Sequence, residues 1–139
     1  MNIHIINGPN LNLVGQRETS TYGEVSLHDA CNAWKRKFHG LTLHCHFSNQ
    51  EGDLIDWLHE HGFDADGIIL NPGGYTHTSV ALRDAVAAIS SPVIEVHISN
   101  PQSREAFRHQ SLIAPVAKGT ISGLGLVGYE LALRWFAER

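Results

Sequence analysis

Cysteine is scarce in this sequence: Cys31 and Cys45 are the only two among 139 residues. Nothing around them suggests a disulfide framework, which small exported folds use to supplement a core and a chain of this length does not need. Reduced thiols in the cytosol are expected. Basic clusters are missing as well. Ten Lys and Arg against fourteen Asp and Glu leave a formal charge of -4 with no concentrated positive run, which argues against nucleic acid or an anionic membrane as partner. No apolar stretch is long enough to cross a bilayer, and the start, MNIHIINGPN, lacks the basic opening, apolar stretch and small-residue cleavage site of a secretory signal. These absences together predict a water-soluble, cytoplasmic protein that acts on a small molecule.

What is present is the composition of an ordinary globular protein, 42% hydrophobic and 17% charged, and residues 1–139 have room for a single α/β domain. Short β-branched segments at Asn2 to Asn7, Gly67 to Asn71 and Pro92 to Ile98 each end in Gly, Pro or Asn turns, the mark of strands. Between them, helical spacing runs through Leu27, Ala30, Cys31, Trp34 and Phe38 after Ser26, through Leu54, Ile55, Trp57 and Leu58 before Gly62, and from about Thr78 to Ile89. After a strand from Gly119 to Leu124, a last helix carries Leu131, Leu133, Trp135 and Phe136.

Alternating strand and helix predicts a parallel sheet with helices on both faces, here five strands and about five helices. The second strand, LTLHCHF, sets Leu41, Leu43, Cys45 and Phe47 against Thr42, His44 and His46, a pattern suited to a half-exposed edge. That favours a flavodoxin-like strand order of 2-1-3-4-5.

Three motifs promise more than they deliver. Gly123 to Gly128, GLGLVG, satisfies G-x-G-x-x-G, but no second strand follows to carry the acidic residue a dinucleotide site needs, so close helix–sheet packing is the expected use and no cofactor is predicted. Cys31 and Arg36 lie inside an amphipathic helix and do not form a phosphate loop. His44 and His46 share a strand face, yet no Cys or carboxylate cluster completes a ligand shell, so a solvated edge and no metal are expected. His59 and His61 fit the favourable C-terminal end of a helix dipole.

The chemistry gathers at three strand ends. The first strand runs into NGPNLNLVGQRETSTYG, about seventeen residues where roughly two to six are usual, holding Arg17 and Tyr22 between Gly15 and Gly23 as candidate lid hinges. The third runs into NPGGYTHTS, where two glycines let backbone approach a ligand and Asn71 and His77 offer directional hydrogen bonds. The fourth runs into EVHISN, with His97 in the strand and Ser99 and Asn100 at a turn that can present N–H groups to an anion. Loops that follow parallel strands meet above one sheet edge, so their polar groups are expected to converge.

These motifs resemble a known family. INGPNLN at 6–12, G-x-R-E with Tyr22 and Gly23, NPGGYTHTS at 71–79 and IEVHISN at 94–100 are similar to the type II 3-dehydroquinate dehydratases. The likeness continues through Arg104, Phe107 and Arg108, and G-L-G with Gly128 and Tyr129. Gly74 stands where Ala is as readily expected, and Gln110 where some relatives carry His.

The resemblance implies dehydration of 3-dehydroquinate to 3-dehydroshikimate, in the shikimate pathway, by anti elimination through an enolate. Lys35, Lys37 and Lys118, the only lysines, all lie outside the three loops, so a covalent Schiff-base route is not expected. Tyr22 would be the base, with Arg17 and Arg108 favouring its ionised form, since an ordinary tyrosine has a pKa of about 10. His97 would protonate the departing hydroxyl, with Glu95 orienting it. Asn10 would position a water or the developing enolate oxygen. Asn71, Ile98 and Ser99 would hold the substrate carboxylate, and His77, Arg108 and Asp84 the ring hydroxyls, Asp84 by reaching a neighbouring subunit. The implied assembly is a homo-dodecamer, a tetramer of trimers. Two other readings use the same sheet: a flavodoxin-like binding module without turnover, and a hydrolase or isomerase, although G-x-S-x-G is absent.

Overall fold

In the computed structural model, which describes residues 1–16 and 25–139, the first apolar alternation forms strand β1 (Asn2–Asn7). It pairs with β2 (Thr42–Phe47) on one side and β3 (Gly67–Asn71) on the other, and β4 (Val93–His97) and β5 (Gly119–Ser122) extend the sheet outward. All pairings are parallel, and the order β2-β1-β3-β4-β5 is the flavodoxin-like one expected. Helices α1 (Leu27–Lys37) and α4 (Val127–Ala137) pack on the face that carries Ile3, Ile5, Ile69 and Val96. Helices α2 (Glu51–His61) and α3 (Val80–Ala88) cover the other, with Ile6, Ile68 and Leu70. Successive residues of a strand point to opposite faces, so near-continuous apolar strands are what a doubly covered sheet requires.

Local signals place the helix starts. The Ser26 hydroxyl accepts from the Asp29 N–H at 3.0 Å and the Ser79 hydroxyl from Leu82 at 2.9 Å, each satisfying a donor that the first helical turn leaves without a carbonyl. No helix among the described residues is long and apolar enough to cross a membrane.

The described residues hold four α-helices rather than about five. From β4 to β5 the chain instead makes three 3-10 turns, Pro101–Ser103, Ala106–Arg108 and Ala114–Val116. Pro101 and Pro115 cannot donate to a helical ladder. Side chains also compete for the backbone: Asn100 Oδ1 accepts from Gln102 N–H at 3.1 Å, and Ser111 Oγ accepts from Ile113 and Ala114 at 3.1 and 2.9 Å, which favours turns over helix.

The polar face of β2 also differs from expectation. Thr42 and His44 are exposed, but His46 is half-buried, its ring 5.0 Å from Trp57 and 5.2 Å from His61 of α2. His61 stacks on His4 of β1 at 3.9 Å, so, while it lies with His59 in the last turn of α2 as expected, it also turns in toward the sheet. The edge strand is solvated only at its outer positions because α2 reaches over its end. Burial first, then the neighbouring His61 and the other imidazoles of the group, push the pKa of His4 and of His46 down to about 4.

The GLGLVG segment is a turn followed by close packing. Gly123 and Gly125 have positive φ, and a Cβ at Gly128 would sit 3.4 Å from Ile121 and 3.5 Å from Val96. Cys31 and Cys45 are free thiols.

Candidate active site

The order in which strands are added reverses between β1 and β3: the chain steps from β1 to β2 on one side, then returns across to β3 on the other. Loops leave such a switch point in opposite directions and open a crevice at the carboxyl ends of the strands. A cavity of about 150 Å³ lies there, walled by Pro9 and Asn10 after β1, Asn71 at the end of β3 and Gly73 beyond it, and His97 at the end of β4 with Ile98 beyond it. The expected convergence of the three loops is therefore present.

The first two loops lean on each other. Gly8 N–H donates to the Asn71 carbonyl at 2.8 Å, and a Cβ on Gly8 would fall 2.6 Å from the Pro72 oxygen. Gly73 has φ +60, with Pro9 O only 3.0 Å from where its Cβ would be, whereas nothing lies within 4 Å at Gly74. Gly73 thus serves loop packing as well as lining the cavity. Gly73→Ala should cost about 1–2 kcal/mol, the penalty of left-handed backbone for an L side chain, while Gly74→Ala should stay within about 0.5 kcal/mol of the parent. Urea unfolding of the two variants checks the contrast.

Beneath the loops lies a buried polar floor. Tyr129 of α4, fully buried, donates its hydroxyl to Asn7 Oδ1 at 2.8 Å and accepts from Asn71 Nδ2 at 2.8 Å. Asn71 Oδ1 in turn accepts from Gly73 N–H at 3.1 Å. Burial pushes the Tyr129 hydroxyl above its ordinary range, against the opposing bond from Asn71, so it remains a neutral O–H. Asn71 keeps one amide hydrogen for a ligand. Neither Tyr129 nor Asn7 was singled out as a site residue; an aromatic at helical spacing reads as core, and nothing local reveals that its hydroxyl meets two asparagines.

His97 has the strongest setting. Its side chain is 11% exposed, and Nε2–H donates to Glu95 Oε2 at 2.5 Å. Glu95 is 1% exposed and also accepts from Thr76 Oγ1 at 2.5 Å and Ser111 Oγ at 2.9 Å. A carboxylate can only accept, so Nε2 carries the proton of that bond and Nδ1 is the nitrogen left for a ligand. His77 is fixed in the same way: Nδ1–H donates to the Gln110 carbonyl at 2.8 Å, and its ring lies 6.5 Å from that of His97. Because Gln110 acts through its backbone, its side-chain identity leaves this bond untouched.

Burial alone would raise the Glu95 carboxyl, but the His97 bond and charge, with the Thr76 and Ser111 hydroxyls, outweigh it and hold the group below the usual carboxylate range. A lowered folded pKa contributes stability that is complete above the unfolded value and lost as pH falls through the folded one. Thermal melts should therefore show the parent losing more Tm than Glu95→Gln as pH drops from about 5 to 3, a window set by an unfolded Glu pKa of about 4.3.

The cationic side of the cavity is built by Ser99, Arg104 and Arg108. Arg104 donates to Ser99 Oγ at 3.1 Å. Arg108 donates through Nε to Glu105 at 2.6 Å, using one of five N–H donors. Asn10 also lines the cavity, in left-handed backbone, φ 69, with its N–H bound to Asn49 Oδ1 at 2.9 Å. Asp84 lies outside the cavity of its own chain, on α3, 67% exposed and 3.5 Å from Arg83. Arg17, Tyr22 and Gly23 lie outside the described residues.

The family model described as Dehydroquinase class II matches residues 1–137. The chain is 57% identical over 136 residues to 3-dehydroquinate dehydratase of Bacillus licheniformis, covering 96% of this chain and 94% of that one. It is 52% identical over 138 residues to 3-dehydroquinate dehydratase 2 of Pseudomonas aeruginosa, covering 97% and 93%. The crystal structure of a type II dehydroquinase from Butyrivibrio crossotus superposes with a TM-score of 0.94 at 45% identity, over 99% of this chain and 97% of that one.

Proposed function

The chain belongs to the class II dehydroquinase family, and from that membership we propose that it is a hydro-lyase converting 3-dehydroquinate to 3-dehydroshikimate in the shikimate pathway of aromatic amino-acid biosynthesis. The observation that carries the site assignment is the cavity on which three strand-end loops converge, with His97 bound to the buried Glu95 at its wall. Such a buried carboxylate–imidazole pair holds one ring nitrogen and aims the other at the reacting centre.

The proposed route starts when Tyr22, ionised beside Arg17, takes the proton from the carbon next to the substrate ketone. Charge passes to the ketone oxygen as an enolate, which Asn10 steadies directly or through a water. Collapse of the enolate expels the hydroxyl from the next carbon on the opposite face, and His97 delivers the proton that turns it into water. That proton must leave from Nδ1, because Nε2 is committed to Glu95. Asn71, Ile98 and Ser99 hold the substrate carboxylate, while His77 and Arg108 contact the ring hydroxyls. No cofactor enters the route.

The assembly carried with this reading is a cytoplasmic homo-dodecamer of four trimers. Asp84, exposed and outside its own cavity, would reach a neighbouring copy's site. Val127, Leu131 and Trp135 leave an apolar stripe on α4, 56%, 40% and 37% exposed, of the kind that subunit contacts cover; light scattering reads the stoichiometry. The activity itself is tested by adding dehydroquinate and following the ultraviolet absorbance of the conjugated enone. Binding without any rise in absorbance would make the protein a binding module.

A further inference from the structure

Away from the cavity, on the α2 side of the β1–β2 edge of the sheet, three imidazoles meet on rigid elements. His4 and His46 project from the paired strands β1 and β2, and His61 comes down from the last turn of α2. His4 Nδ1 and His46 Nε2 are 2.9 Å apart. The His61 ring stacks at 3.9 Å on His4 and 5.2 Å on His46. One nitrogen from each of the three rings lies within 4.8 Å of the others. His4 is 7% exposed and the other two are half-buried. The sequence concealed this group because its members come from three separate segments; His44 with His46 was the visible pair, whereas the set is His4, His46 and His61.

We propose that His4, His46 and His61 form a binding site for a late first-row divalent cation such as Zn²⁺, separate from the catalytic cavity. The donors suit it: imidazole is a preferred ligand for Zn²⁺, Ni²⁺ and Cu²⁺, and three ligands leave a position for water. The spacing suits it too. Tetrahedral ligands at the usual Zn–N distance of about 2.0–2.1 Å lie roughly 3.3–3.4 Å from one another, so the His4–His46 pair must open by a few tenths of an ångström and the stacked rings, now 13–28° from parallel, must turn until their in-plane lone pairs converge. His61, the outer ligand, closes the remaining gap by a side-chain rotation. The hydrogen shared by His4 and His46 moves to the other nitrogen of its own ring, and each imidazole binds neutral. His44 stacks on His4 at 4.5 Å but falls outside the ligating set. A bound ion would tie the end of α2 to the two strands at the sheet edge and stabilise the fold by mass action.

The test is calorimetric titration of the untagged, metal-stripped protein with ZnCl₂ and with CoCl₂, read beside the visible spectrum of the Co²⁺ form. One ion per chain is expected, with a Tm rise of several degrees and a tetrahedral Co²⁺ band. His61→Gln should weaken binding at least tenfold and leave dehydration within about twofold of the parent. His59→Ala, exposed on the same helix, should bind like the parent. His46→Gln gives a second reading should His61→Gln fold poorly, which the metal-free Tm reports. No saturable binding, or binding kept in His61→Gln and His46→Gln but lost in His97→Ala, overturns the proposal, the latter by placing the ion in the catalytic cavity.

Discussion

Tyr22→Phe is expected to lower kcat by about 10²–10⁴-fold, the usual worth of a positioned proton acceptor, while Tm and affinity for the product stay near those of the parent. The change removes one oxygen and keeps the ring, so only the capacity to take a proton goes. An ordinary tyrosine at pH 7 would be ionised about once in a thousand molecules, given a pKa of about 10. A base role therefore needs Arg17 to favour the anion, and Arg17→Ala should shift the rising limb of kcat/KM to higher pH. Steady-state kinetics across pH, with calorimetric binding of product, checks both. A Tyr22→Phe variant with near-parental kcat would remove Tyr22 from the chemistry.

His97→Ala is expected to cost a comparable 10²–10⁴-fold in kcat, because the leaving hydroxyl would depart unprotonated. The geometry adds a condition. On the proposed route Glu95 reaches the chemistry through the ring it holds at 2.5 Å, so Glu95→Gln should lower kcat on its own but have little further effect in the His97→Ala background, the non-additivity of residues that work as a unit. Added imidazole should restore part of the turnover of His97→Ala. A change confined to KM would make His97 a binding residue, and full additivity with Glu95 would separate the two roles.

The sheet and its strand order were legible because β1, β3 and β4 are short apolar runs ending in Gly, Pro or Asn, and because β2 alternates as a half-exposed edge does. The cavity lining was legible for the related reason that parallel strands deliver their loops to one edge, so Asn71, His77 and His97 could be grouped without coordinates, while Asn10 came only through the family resemblance. Contacts between distant segments left no local trace. Thr76 and Ser111 on Glu95, Tyr129 beneath Asn71, and His61 over His4 are each made by residues that look ordinary in their own stretch of chain. The expected count of about five helices exceeded the four described because, from Pro101 to Val116, prolines and side-chain-capped turns divert the backbone into 3-10 turns.

The floor of the site also sets an order of events during synthesis. Asn7 is made 122 residues before its Tyr129 partner, which follows every strand of the sheet. A nascent chain can pair β1, β2 and β3 and bury much of one face, yet the asparagines at the strand ends stay open to water until α4 docks. Ligand-competent protein should accordingly appear later than strand pairing in refolding, and the interval between them measures how long the last helix takes to find its place.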